Sequence, residues 1–254
     1  MPESEFHLGN APIIEAVLDI DCILPSSFKL KEVETLAKES YRSDYPKTRQ
    51  QFLLQHSVKQ SAEGPAEVSG SRALQALQFL KDDEKQLIQL RREGFSFNRL
   101  APYDSLDTYL PEIERTWNIY REMIHPTGLR RIALRYINRL LLPLDGGNLR
   151  LSDHLENAPQ LPEGTNLAFT GFLHQHQAVE VGTGHKVAII ITSQANVNGE
   201  LPIILDITTS KDCRTDPSHW EDIRDIIFAL RDLKNQVFKR SLTESCLNRY
   251  LPQP

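Results

Sequence analysis

Polar and apolar residues alternate with period two from Pro12 to Cys22. Ile14, Ala16, Leu18, Ile20 and Cys22 fall on one face, and Glu15, Asp19 and Asp21 on the other. Successive side chains of an extended chain point to opposite sides, so this spacing predicts a half-buried strand. Pro25-Ser26-Ser27 closes the strand and offers an N-cap to a helix carrying Leu30, Val33, Leu36, Ala37 and Tyr41, which Tyr45-Pro46 stops. Four short strand-like runs follow: Phe52–Val58, Ala73–Leu80, Gln86–Leu90 and Phe95–Arg99. Asp82-Asp83-Glu84 and Gly94 supply turns between them, and Ser61–Ser71 reads as a loop by composition. Asp104 or Ser105 caps the next helix, whose apolar stripe is Leu106, Tyr109, Ile113, Trp117, Tyr120 and Ile124.

The order then starts again. Leu129–Leu142 is a second long strand, with Ile132, Leu134, Tyr136, Asn138 and Leu140 on its even face. A short helical stretch, Leu151–Leu155, precedes three strands, Leu167–Val181, Val187–Thr192 and Pro202–Thr208. Asn198-Gly199 is a strong type I′ hairpin signal. A long helix carries Ile223, Ile226, Ile227, Leu230, Leu233 and Val237, opened by the capping box Ser218-x-x-Glu221. A second box, Ser241-x-x-Glu244, predicts one more short helix. Placing Pro25 over Pro143 puts Ile14 over Ile132 and Leu24 over Leu142. The expectation is therefore an α+β protein of two internally duplicated βαβ(3–4)α units, residues 1–126 and 127–254, forming one pseudo-symmetric globular unit. Its antiparallel sheet carries helices on one side only, with the saddle of the TATA-binding protein as an analogy of element order.

Charge adds one structural expectation. Arg131, Arg135 and Arg139 share the odd face of the second long strand, as Glu15, Asp19 and Asp21 share the odd face of the first. If the two equivalent strands pair at the centre of a continuous sheet, acids and arginines meet on the same side. Over the whole chain the formal net charge is −5 and the pI near 5.9, which argues against a protein that coats duplex nucleic acid. No apolar run is long enough to span a membrane, and Met1–Phe6 is acidic and polar, unlike a signal peptide. Three well-separated cysteines, Cys22, Cys213 and Cys246, argue against a disulfide framework and for a reducing cytoplasm.

Candidate chemistry is sparse, and no cofactor site is read from the chain. His174 and His176, two apart on a strand, point to one face and form the best metal-like pair. Their ordinary reading is a polar strand face. A nuclease would recruit Asp206 with Lys211, or Glu180 with Lys186, around a divalent cation; the simpler account of Asp206 is a strand residue exposed beside a turn. Gly182-x-Gly184-His185-Lys186 lacks the spacing of a phosphate loop and reads as a hairpin turn. Cys22 falls on the apolar face of its strand, as a buried small hydrophobe does. Arg131, Arg135 and Arg139, combined with Phe95, Phe97 and Arg99, make a candidate platform for single-stranded nucleic acid, where aromatics stack and cations track phosphates. The competing reading sends Phe95 and Phe97 into the core and neutralises the arginines across the sheet. Basic residues late in the last long helix, including Arg231 and Lys234, are explained by the helix dipole alone.

Four motifs resemble a sporadically distributed prokaryotic family of roughly 250-residue proteins of uncharacterised function. They are Pro12-Ile13-Ile14-Glu15-Ala16-Val17, Gly94–Leu100 followed by Pro102-Tyr103, Leu134-Arg135-Tyr136-Ile137-Asn138, and Leu233-Lys234-Asn235-x-x-Phe238 with Leu242-Thr243-Glu244. The resemblance implies a mobile, accessory or defence-linked context, such as CRISPR or toxin–antitoxin loci, and transfers no catalytic residue. The expected function is a non-enzymatic, cytoplasmic protein that binds another protein of the same complex, through the sheet or through loops such as Ser61–Ser71 and Thr209–Pro217. The alternatives are a single-stranded nucleic-acid binder and a metal-dependent phosphoesterase at His174 and His176. A homodimer is compatible with each.

Overall fold

A computed structural model describes residues 8–59, 67–144, 149–162, 164–167 and 169–252. Strand β1 (Ile13–Ile23) leads through helix α1 (Glu34–Tyr41) to β2 (Lys47–Lys59), β3 (Glu67–Leu80), β4 (Gln86–Arg91) and β5 (Gly94–Leu100), and then to α2 (Leu106–Ile124). The second half runs β6 (Gly128–Pro143), a 3₁₀ turn at Leu151–Asp153, β7 (Leu173–Val179), β8 (Lys186–Ser193), β9 (Glu200–Asp212), α3 (Trp220–Ser241) and α4 (Glu244–Asn248). The nine strands of the described residues form one antiparallel sheet in the order β2-β3-β4-β5-β1-β6-β9-β8-β7. The first strands of the two halves meet at its centre, and the other strands fan outward in mirrored order. Val17 lies directly opposite Arg135, its own equivalent when Pro25 is placed over Pro143.

The even face of β1 is the buried one. Leu18 pairs with Leu134 and Ile20 with Ile132, and α2 and α3 cover these side chains. Trp117 of α2 is fully buried against Phe95 and Tyr120, and its Nε1 donates to the Pro217 carbonyl at 3.2 Å. This core joins the β1, β3–β6 surface to α1, α2 and the first turns of α3. A second apolar cluster on the same side, around Ile203, Leu205, Ile207 and Phe238, seats the end of α3 and α4 on β8 and β9. The first-half helix α2 is capped by the Ser105 hydroxyl, which accepts from the Thr108 N–H at 3.1 Å.

Several local expectations are corrected. Ile14 is exposed, because a bulge between Ile13 and Glu15 shifts the start of β1 by one residue and turns Ile13 inward. Ser26 and Ser27 cap nothing, since α1 begins only at Glu34 and has no side-chain cap. Ser218 instead donates its hydroxyl to Asp216 Oδ1, leaving α3 to start at Trp220 without the box. Helix α4 is capped by Thr243 rather than Ser241. Thr209 is no loop residue, because β9 continues to Asp212 and the buried Thr209 hydroxyl bonds the Leu230 carbonyl. Of the Ser61–Ser71 loop, residues 61–66 lie outside the described residues, as does the acidic start at 1–6, whereas 67–71 belong to β3. Asn198 and Gly199 do form the tight turn, with positive φ at both and paired backbone bonds between Val197 and Glu200.

Strand β3 pairs with β4 only over Ala76–Leu80, so its earlier part and the end of β2 run on as a two-stranded ribbon. Gly94 marks the opposite extreme of crowding. It has φ +153°, and a β-carbon there would sit 2.0 Å from the Ile20 carbonyl oxygen, so only glycine lets β5 lie this close to β1. Among the described residues no helix is long and apolar enough to cross a membrane.

Candidate binding surface

The odd residues of β1 and β6 face away from the helices, so Glu15, Asp19 and Asp21 share one open surface with Arg131, Arg135 and Arg139. β5 adds Ser96 and Asn98, β4 adds Gln89 and Arg91, and β9 adds Asp206, Thr208 and Asp212. Hydrogen bonds join these side chains across strands. Gln78 Nε2 donates to Gln89 Oε1 at 3.0 Å, Gln89 Nε2 to Asn98 Oδ1 at 2.9 Å, and Asn98 Nδ2 to Glu15 Oε1 at 2.8 Å. Ser96 donates its hydroxyl to Asp19. The ladder thus crosses four strands and ends on a carboxylate.

The arginines are tied into the same grid. Arg135 makes a forked contact with Asp206 of β9, Nε to Oδ1 at 3.0 Å and Nη2 to Oδ2 at 2.6 Å. This planar match raises the Arg135 pKa above its ordinary value. Arg131 reaches Asp21 at 3.5 Å from directly across the β1–β6 pair. Arg91 reaches Asp21 at 2.7 Å and Asp19 at 3.5 Å. Burial works against the Arg91 charge, yet the two carboxylates outweigh it and raise its pKa. Lys186 of β8 pairs with Asp212. Arg139 is exposed, and among the described residues no carboxylate lies within ion-pair distance of it. The expected meeting of acids and arginines therefore occurs on one face, but only Arg131 pairs across β1 and β6: Arg135 is held by β9, and Arg139 meets no carboxylate among the described residues. Where both partners are exposed, as in Lys186–Asp212, such a pair contributes up to about 1 kcal/mol and mainly fixes register.

Phe95, Phe97 and Arg99 do not join this surface. β5 registers Phe95 on Ile20, Phe97 on Leu18 and Arg99 on Ala16, which places all three on the helix-covered side. Phe95 and Phe97 are 0% and 3% exposed, so neither ring is free to stack on a base. Arg99 Nε donates to the Tyr109 hydroxyl at 3.1 Å beneath α2.

The metal and nuclease candidates are likewise dispersed. The His174 and His176 rings lie 4.2 Å apart on β7, but among the described residues no group of three His, Cys, Asp or Glu is placed to hold a metal ion. His185 Nδ1 faces Glu180 at 3.2 Å instead. Asp206 is only 6% exposed in mid-strand, held by Arg135, and Lys211 points to the other face of β9. No protein-family model and no curated protein matches the chain.

Sequence reasoning passed over Lys234. It is buried on the sheet-facing side of α3, with Nζ 3.9 Å from the Tyr136 ring centroid and no carboxylate within ion-pair distance among the described residues. Burial, reinforced by nearby Arg231, pulls its pKa down to about 7. Beside it, Tyr136 and Tyr103 share a 3.0 Å hydroxyl contact, and burial pushes the Tyr136 phenol up to about 12. A crevice of about 20 Å³ lies against Tyr103, Tyr109 and Tyr136, room for about one water molecule. The signal was present in the spacing: Ile223, Ile227, Leu230, Lys234 and Phe238 follow one helical stripe, so a lysine stands where the pattern calls for an apolar residue. Cys22, as its strand position implies, is buried beneath the helices, and burial pushes its thiol up to about 12.

Proposed function

We propose that the protein is a non-enzymatic binding module that docks another protein on the open face of its sheet, as an accessory or regulatory component of a cytoplasmic prokaryotic complex. The observation that supports this most is the internal matching of charge on that face. Arg131 and Arg91 are met by Asp21, Arg135 by Asp206 and Lys186 by Asp212. A polyanion would have to break these pairs to use the cations, and its affinity comes from uncompensated ones. A folded partner of mixed charge can instead extend the existing ladder, because ordered side chains lose little further freedom on association. The defence-linked setting rests on the motif resemblance alone.

The test is retention by the tagged chain from its native host, with half of each sample treated with nuclease. Thr208→Arg alters the open face, and Asp225→Arg alters the exposed outer side of α3. The expected result is a stoichiometric protein that survives nuclease, is lost with Thr208→Arg and is kept with Asp225→Arg. Recovery of nucleic acid, with every companion lost after nuclease, would overturn the reading. So would a companion indifferent to Thr208→Arg.

A further inference from the structure

The two outer strands of the sheet differ in kind. β2 carries Lys47 and Arg49, and basic side chains on an edge discourage pairing with another chain. β7, Leu-His-Gln-His-Gln-Ala-Val, has no acidic, lysine or arginine side chain, no proline and no bulge. Among the described residues nothing pairs with its outer side. Leu173 and Val179 at its two ends are 71% and 59% exposed.

We propose that β7 pairs with β7 of a second copy of this chain, antiparallel and centred on His176, joining two sheets edge to edge. The backbone directions define the geometry. The Phe172 carbonyl accepts from the Ser193 N–H at 3.3 Å, and the Glu180 N–H donates to the His185 carbonyl at 2.8 Å. Even-numbered residues therefore turn their backbone groups toward β8. Leu173, Gln175, Gln177 and Val179 turn theirs outward, each offering one donor and one acceptor.

A two-fold axis through His176 sets Gln175 against the partner's Gln177, and Leu173 against the partner's Val179. Every outward N–H and C=O of the four residues then finds a counterpart. Opposed side chains fall on one face, so an exposed leucine meets a valine at each end and amide meets amide in between. The sequence of the strand matches itself under this operation, as a closed dimer requires. A strand slid by two residues sets Leu173 against the partner's Gln177 in one direction and Gln175 against the partner's Val179 in the other, so within β7 apolar no longer meets apolar. This assembly stands apart from the open-face reading: it uses the sheet edge, and either one is able to fail alone.

The test is sedimentation velocity and light scattering of the full chain. Wild type is expected at twice the 29.0 kDa monomer mass, dissociating on dilution. Gln175→Lys/Gln177→Lys sets like charges opposite each other and is expected to weaken dimerisation about tenfold or more. Gln175→Lys/Gln177→Glu sets lysine against glutamate at the same two places and is expected to restore it. Gln175 and Gln177 are both exposed, and matched thermal melts confirm that each variant folds. A wild type that stays monomeric up to ~100 µM, where even weak association registers, overturns the proposal. A dimer indifferent to the paired lysines overturns it too, and so does failure of the lysine–glutamate variant to recover.

Discussion

Lys234→Met tests the reading of α3 most directly. Lys234 is 8% exposed, and its ammonium meets an aromatic face rather than a carboxylate. The unfolded chain holds this proton up to about pH 10.5, whereas the folded chain releases it near pH 7. Between those values the unfolded state binds more protons, so the Lys234 contribution to stability rises with pH. A downward shift of that size corresponds to roughly 5 kcal/mol disfavouring the charged form, at 1.36 kcal/mol per unit. The cation over Tyr136 returns roughly 2 kcal/mol of attraction. Methionine keeps the apolar stem and removes the charge, and burying a comparable apolar chain costs nothing of the kind. The variant is therefore expected to be more stable at pH 7 by ~2–4 kcal/mol, an advantage that shrinks by ~2 kcal/mol by pH 9. Urea titrations of both proteins at pH 7, 8 and 9 measure it. The window stops there because tyrosines such as Tyr103 and Tyr136, raised by burial, lose stability as the pH passes about 10, where unfolded tyrosine ionises. Parallel stability profiles for the two proteins, or a variant less stable at pH 7, would refute the argument.

Gly94→Ala is expected to cost ~3 kcal/mol or more in a thermal or chemical melt, since its β-carbon would strike the β1 backbone rather than a movable side chain. Arg135→Ala leaves the buried Asp206 carboxylate without its fork and is expected to cost ~1–3 kcal/mol. Arg135→Ala/Asp206→Ala recovers most of that loss, and additive single losses in the same denaturation assay would contradict the pairing. In native protein at pH 8, iodoacetamide is expected to label the half-exposed Cys213 first, with Cys22 and Cys246 reacting only on unfolding. Peptide mass spectrometry reads the order, and early labelling of Cys22 would count against its burial.

Much of the architecture was legible because β1 and β6 alternate cleanly, and alternation fixes which residues share a face. Their pairing register then set arginines beside acids without further information. The face of β5 was legible in part. Phe95 and Phe97 alternate with Ser96 and Asn98, as the reading that sends both rings into the core requires, but the burial of all residues from Gly94 to Asn98 does not mark which face is open, and the parity relative to β1 depends on where the pairing begins. Since Glu15 lies opposite Leu100, the even residues of β5 join the odd face of β1, which separated Phe95, Phe97 and Arg99 from the arginines of β6. The partner of Arg135 was hidden because nothing in the β9 run itself sets its register on β6: Arg135 lies opposite Thr208, and Asp206 stands two residues along on the same face. Lys234 was passed over for the opposite cause: its position on the stripe was visible, but charge near a helix C-terminus has an easy explanation.

The uneven reach of β3 has a consequence for how the sheet opens. Its residues Ala76–Leu80 are clasped between β2 and β4, while Glu67–Leu74 have β2 alone. A two-stranded ribbon is marginal in water, so amide hydrogens along this one strand will exchange with deuterium on two timescales. The amides clasped on both sides are released only when the body of the sheet unfolds, and those of the ribbon are released by local opening. A single unbroken strand thus belongs to two cooperative units, with the boundary at Gln75.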